Sequence, residues 1–312
     1  MKNLVVYNIC GISNNQSLER YIDRLESITS QNNFKDNYEL VISSCLSDDN
    51  ILSGLKDHGF NVFEIKDKVP VNVSFNNTCI KAKEIFNTDF DSYIYIDSGI
   101  KLTDPHSLNA LSDQISQGDS AMACSMISND MDLDFWNLNI DGDKYVIPVG
   151  KATNLHFQAF SKELVDYYNK PMPDIFASFC TESTFSFMCA ALQKNWIVMS
   201  NVFAEHEISM DGRSSGFSPE QAYFERGTTA DHPFVIDSIF DRIVTEDGYN
   251  LGFGYEECRS IMVHDSSKYD ENGHCKNDEL KEWIKNNLFL SKEEFDYEKM
   301  NWEVVGSASR SS

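Results

Sequence analysis

The stretch Tyr93-Ile94-Tyr95-Ile96-Asp97-Ser98-Gly99 decides how the rest of the chain is read. Four bulky, β-prone residues follow one another without a polar break, which is the pattern of a parallel strand buried on both faces. They end in an aspartate and two small residues. In an open α/β sheet, ligands gather beyond the carboxyl ends of the strands. Asp97 therefore stands where a carboxylate can hold a divalent cation or a ribose hydroxyl. Asp, Ser and Gly also form turns, and a plain turn is the competing reading.

Three more strands precede it, at 4–9, 38–43 and 61–65. Between them Leu18, Ile22, Leu25 and Ile28 recur at helical spacing behind a Ser17 cap. A second helix spans 50–58, with Gly59 as its C′ residue, and a third spans 72–86 with Phe75, Cys79, Ala82 and Phe86 on one face. Strands alternating with helices describe successive βαβ crossovers and hence a mainly parallel sheet. Its carboxyl edge would collect three clusters of small and polar residues, at 8–11, 43–48 and 97–99.

The second half is less regular. A helix at 107–115 and a strand at 121–127 lead into a polar excursion, 129–150, that carries Trp136, Tyr145 and the hairpin turn signal Asp141-Gly142-Asp143. A strand at 154–160 follows, and Ser161 caps a helix bearing Leu164, Val165 and Tyr168, which Pro171 and Pro173 stop. Phe185, Met188 and Leu192 mark another helix, and the strand 196–203 ends at Glu205-His206. Helices are expected at 237–244 and 278–288. The division this predicts is an α/β domain over 1–218, a mostly helical extension over 219–305 packed on it, and a tail over 306–312.

With 41% hydrophobic residues, the 312-residue chain can bury a large core, which excludes global disorder. Lys+Arg number 26 against 49 Asp+Glu, a net charge of -23 that repels phosphate backbones, and no basic stripe offsets it. Nucleic acid is excluded as a partner on that ground. An anionic small ligand would need local neutralisation by a metal ion or by a few placed cations and N–H groups. The eight cysteines form no CxxC pair and most lie in apolar runs, as free thiols of a reducing cytoplasm do. No cationic, apolar leader and no transmembrane run of about 18 apolar residues is present, so a soluble cytoplasmic protein is expected.

The order of these features resembles a GT-A fold glycosyltransferase of the family 2 kind. The second strand runs into Ser47-Asp48, similar to that family's nucleotide-contacting Ser/Thr-Asp pair. Ser74-Phe75-Asn76-Asn77-Thr78-Cys79-Ile80 resembles its Asn-rich helix, and Asp97-Ser98-Gly99 resembles its DxD motif. Glu182 in Cys180-Thr181-Glu182-Ser183 stands for the acid that opens a later helix, and His206 for the histidine ending the next strand. The resemblance spans about residues 3 to 217. Four positions depart from it: Ser44 where a nucleotide-binding Asp is usual, Asn76 where Arg is common, Ser183 in place of a second acid, and Gly99 in place of the acid that usually holds the metal.

The resemblance implies transfer of a sugar from a nucleotide-diphosphate sugar, a UDP-sugar favoured, to a glycan or other hydroxyl acceptor, with inversion. It implies Glu182 as general base, with Asp174 in reserve, and Mn or Mg held by Asp97 and His206. Asn8, Ser44, Asp48, Asn77 and Ser98 become donor contacts. Arg213, set between Gly212 and Ser214 in a closing loop, can neutralise diphosphate as a bidentate guanidinium. Trp136 and Tyr145 are candidate platforms for an acceptor sugar. His264-Asp265 and His274-Cys275 lack zinc spacing and read as surface. Two alternatives remain. One is a non-catalytic binder of nucleotide sugar or glycan. The other is a sugar nucleotidyltransferase, whose basic phosphate loop residues 10–15 do not supply.

Overall fold

The computed structural model describes residues 2–10, 17–45, 48–65, 71–127, 142–149, 153, 156–173, 184–206, 266–288 and 302–305. Ten strands there form one sheet. They are β1 (Asn3–Cys10), β2 (Tyr38–Cys45), β3 (Val62–Ile65), β4 (Ser92–Asp97), β5 (Ile100–Leu102), β6 (Ser120–Ile127), β7 (Lys144–Val146), β8 (Phe157–Ser161), β9 (Asn195–His206) and β10 (Trp302–Val305). Their order is β10-β3-β2-β1-β4-β8-β6-β9-β5, with β7 paired to β9. Strands β3, β2, β1 and β4 are parallel, as successive βα units require. Strand β8 runs antiparallel between β4 and β6, and β6 and β9 are parallel again. The architecture is the expected α/β one, a mixed sheet in which β3, β2, β1 and β4 form a parallel block.

The helices are α1 (Leu18–Thr29), α2 (Phe34–Asn37), α3 (Asp49–Asp57), α4 (Val71–Phe86), α5 (Ser107–Ser116), α6 (Lys162–Tyr168), α7 (Phe185–Ala191) and α8 (Asp278–Leu288). Strand alternation divides the apolar side chains between two cores. Leu4, Val6, Tyr93 and Tyr95 face one, packed with Phe75 and Cys79 of α4, Leu164 of α6, Met188 of α7 and Ile284 of α8. Val5, Tyr7, Ile94 and Ile96 face the other, under Leu25 of α1, Leu55 of α3 and Leu111 of α5. A sheet covered on both sides explains why β4 reads as an unbroken apolar run.

Local chemistry sets the element ends. The Ser161 hydroxyl accepts the Leu164 N–H at 3.2 Å and caps α6. That helix stops at Asn169, left-handed at φ 62, two residues ahead of Pro171. Gly59, at φ +85, follows the last cap of α3, a backbone region that favours glycine.

Three elements escape the sequence reading: α2, the short β5, and β10. The last of these adds antiparallel to β3 at the sheet edge, in a region where helices are expected. Helix α8 coincides with the expected 278–288, whereas 237–244 lies outside the described residues. The segment after Gly142 becomes β7 and pairs antiparallel with β9; a hairpin mate before it would fall outside the described residues. Two expectations are corrected. Tyr145 sits on β7 opposite Val198 and packs against the first core, so its ring is used in burial and not held out as a sugar platform. Cys275 is not surface: it is 1% exposed and its N–H donates to the Ala190 carbonyl at 3.0 Å. Among the described residues Cys79, Cys124, Cys189 and Cys275 are buried free thiols, and burial pushes the Cys189 thiol far up, which makes it unreactive. No described helix is long and apolar enough to cross a membrane.

Candidate functional site

Parallel register lines up three strand ends. Asn8 of β1 pairs with Ser43 of β2 on one side and with Asp97 of β4 on the other. Helix α4 lays hydroxyls against this edge: Thr78 donates to the Ser43 hydroxyl at 2.8 Å, and the Ser74 and Ser43 hydroxyls lie 2.7 Å apart. Ser74 also donates to Asn8 Oδ1 at 3.4 Å. All four residues are buried, so an otherwise apolar interface carries a polar strip at the carboxyl ends of β1 and β2. Ser43 is the residue on this strip. Ser44, the expected contact, pairs with Ile9 and by strand alternation points to the other face. Asp48 caps α3, accepting the Asn50 N–H at 2.8 Å, and Asn77 is buried within α4.

The Asn-rich signature is therefore split. Asn72 and Asn76, one helical turn apart, reach away from the strip to the chain after α6. Asn76 donates to the Met172 carbonyl at 2.8 Å and accepts the Met172 N–H at 3.0 Å, while Asn72 donates to the Pro173 carbonyl at 2.6 Å. This clamp pins the backbone immediately before Asp174.

Asp97 closes β4 with its side chain about a third exposed. Its Oδ1 accepts the Gly99 N–H at 3.0 Å and the Ser98 hydroxyl at 3.3 Å. The Ser98 carbonyl is held from the second core by two buried donors, the Tyr7 hydroxyl and the Arg24 guanidinium, both at 2.6 Å. The turn is thus fixed from beneath, and Asp97 is left facing outward. Because β8 runs antiparallel to β4, its start lies beside the end of β4, and the His156 carbonyl accepts the Asp97 N–H at 2.8 Å. The His156 ring then stands with Nδ1 3.6 Å from Asp97 Oδ2. Strand β9 brings His206, opposite Ile100 of β5, so that the His156 and His206 ring centres lie 4.2 Å apart, their planes tilted by 33°. One ligand atom from each of Asp97, His156 and His206 lies within 4.8 Å of the others.

Burial alone would raise the Asp97 carboxyl. The neighbouring His156, the Gly99 N–H and His206 more than reverse this and hold it down at about 2. The site therefore presents an ionised carboxylate and two imidazoles, a donor set suited to a divalent cation.

The structure brings Asp97, Ser98 and His206 near one another, with Asn8 one strand away. Glu182, Asp174 and Arg213 lie outside the described residues, as do Trp136 and His264. His156, Tyr7 and Arg24 are absent from the sequence reading. No spacing links His156 to Asp97; only the antiparallel direction of β8, hidden in a single short strand, would have placed it there. A cavity of about 320 Å³, lined by Val146, Lys194, Trp196 and His274, opens at the other end of β9 and is remote from this cluster.

No protein-family model and no curated protein sequence matches the chain. Solved structures do share its architecture. The mannosyltransferase PcManGT from Pyrobaculum calidifontis, in complex with GDP-Man and Mn2+, aligns with a TM-score of 0.53 at 11% identity, covering 91% of this chain and 83% of its own. S. aureus TarS 1–349 in complex with UDP-GlcNAc aligns at 0.47 and 13%, over 85% and 76%. At 11% identity the first of these alignments speaks to architecture alone: the chain has the fold of the GT-A glycosyltransferases.

Proposed function

We propose that this chain is a glycosyltransferase that moves a sugar from a nucleotide-diphosphate sugar, a UDP-sugar by preference, to a glycan or other hydroxyl acceptor. The observation that carries the reading is the meeting of an ionised Asp97 with His206 at the carboxyl edge of a GT-A sheet. In this reading the donor nucleotide lies over the strand ends at Asn8 and Ser43, with Asp48, Asn77 and Ser98 as further contacts; Ser44, which faces the other side of the sheet, is not among them. Asp97 and His206 hold Mn or Mg, which when bound neutralises charge on the leaving diphosphate. Arg213 adds a guanidinium to the same charge, which matters in a chain whose net charge is -23. Glu182 takes the proton from the acceptor hydroxyl as that oxygen attacks the anomeric carbon. Attack opposite the departing diphosphate inverts the centre; Asp174, beyond the Asn72–Asn76 clamp, is the reserve base.

Gly99 favours a second reading. It removes a carboxylate that the family usually supplies, as a non-catalytic binder of nucleotide sugar or glycan would tolerate. Release of nucleoside diphosphate separates the two. Incubation with a panel of UDP- and GDP-sugars and Mn(II) is expected to give slow diphosphate release without acceptor, faster with one. Binding of a nucleotide sugar with no release in any combination would favour the binder.

A further inference from the structure

The donor set at Asp97 is not the one that two aspartates in a DxD motif would make. Gly99 offers no carboxylate, yet a third donor stands there: His156, whose Nδ1 is 3.6 Å from Asp97 Oδ2 and whose ring centre lies 4.2 Å from that of His206. Its backbone is tied to β4 by the Asp97 N–H, so the two donors are carried on one rigid strand pair. The side chains of Asp97 and His156 are each about a third exposed, so an ion can enter. We infer that His156 is the third protein ligand, and that the resulting set of two imidazoles and one carboxylate holds a first-row transition-metal dication without nucleotide and passes over Mg(II).

Two arguments support this. Mg(II) demands oxygen ligands in near-ideal octahedral order and gives up water reluctantly, whereas imidazole nitrogen suits the transition metals, with affinity rising from Mn(II) to Co(II). Three pre-positioned protein donors also need no phosphate oxygen to complete a binding site. The inference takes its place from the glycosyltransferase reading, but its test uses no nucleotide, so either can fail while the other stands.

The test is an electron paramagnetic resonance titration of the chelator-treated full chain with Mn(II) alone. Loss of the free-ion signal should show one Mn(II) bound per chain. About a hundredfold excess of Mg(II) should leave it in place, while a small excess of Co(II) displaces it. His156→Ala should weaken Mn(II) binding at least about tenfold with an unmoved melting temperature. His156→Asp should bind Mn(II) again but let Mg(II) compete, and it carries the test if the alanine variant does not fold. The inference is overturned by no Mn(II) bound in the absence of nucleotide, by equal binding to His156→Ala, or by Mg(II) displacing Mn(II) as readily as Co(II) does.

Discussion

Replacing Asn76 with leucine should destabilise the protein by about 4 kcal/mol. The side chain is fully buried, and both of its polar ends are spent on one residue, Met172, which is itself fully buried. Leucine has nearly the same volume, so no large cavity opens. What remains is a backbone N–H and a carbonyl stripped of partners in the core, each costing roughly 1–3 kcal/mol. Asn72→Ala removes one bond, to the Pro173 carbonyl, and should cost about half as much. Urea unfolding followed by tryptophan fluorescence should show the midpoint fall in that order, and the melting temperature of Asn76→Leu should drop by about 6 °C. A loss below ~1 kcal/mol in Asn76→Leu would mean that Met172 finds other partners, and that the Asn-rich turn is not the clamp described.

Asp97→Asn keeps an acceptor for the Gly99 N–H but discards the charge, so sugar transfer should fall by about 100-fold or more while the circular dichroism spectrum stays the same. The same variant tests the titration of Asp97 in metal-free protein. Its folded value, about 2, lies below the ordinary 3.8, so its contribution to stability is complete above pH 3.8 and is lost as the pH falls toward 2. Wild type should therefore lose stability more steeply than Asp97→Asn between those values in acid melts; parallel curves would contradict the assignment. Gly59→Ala meets no atom within 4 Å but forces a side chain to φ +85, so it should cost about 1 kcal/mol in chemical denaturation, from backbone strain alone.

The parallel half of the sheet is legible because each strand there announces itself locally. Tyr93 to Ile96 is apolar on both faces, and the helix faces of α1 and α4 repeat at helical spacing. Asp97 and His206 are legible for the same reason, since each ends a well-marked strand. The elements that sequence hides depend on distant partners. β5 is three residues long and exists because β9 extends far enough to pair with it. β10 is stabilised by the free edge of β3, which nothing in 302–305 encodes. His156 and Arg24 are hidden likewise: one is placed by the reversal of β8, the other by a buried guanidinium reaching the Ser98 carbonyl across the core. The Asn-rich stretch was legible as a motif but divided in role. Ser74 and Thr78 face the strip, whereas Asn72 and Asn76 turn to Met172 and Pro173, a split that the helical period allows but does not reveal.

In the proposed function, the sheet edge over Asn8 and Ser43 and the cluster at Asp97 together hold a nucleoside diphosphate and its cation. Thermal melting of the full chain with UDP, GDP and their sugars, each with and without Mn(II), tests this most directly. The melting temperature should rise with at least one nucleotide, a rise enlarged by Mn(II) beyond what the metal gives alone and absent in Asp97→Ala. No shift with any nucleotide or nucleotide sugar, in the presence or absence of the metal, would contradict it.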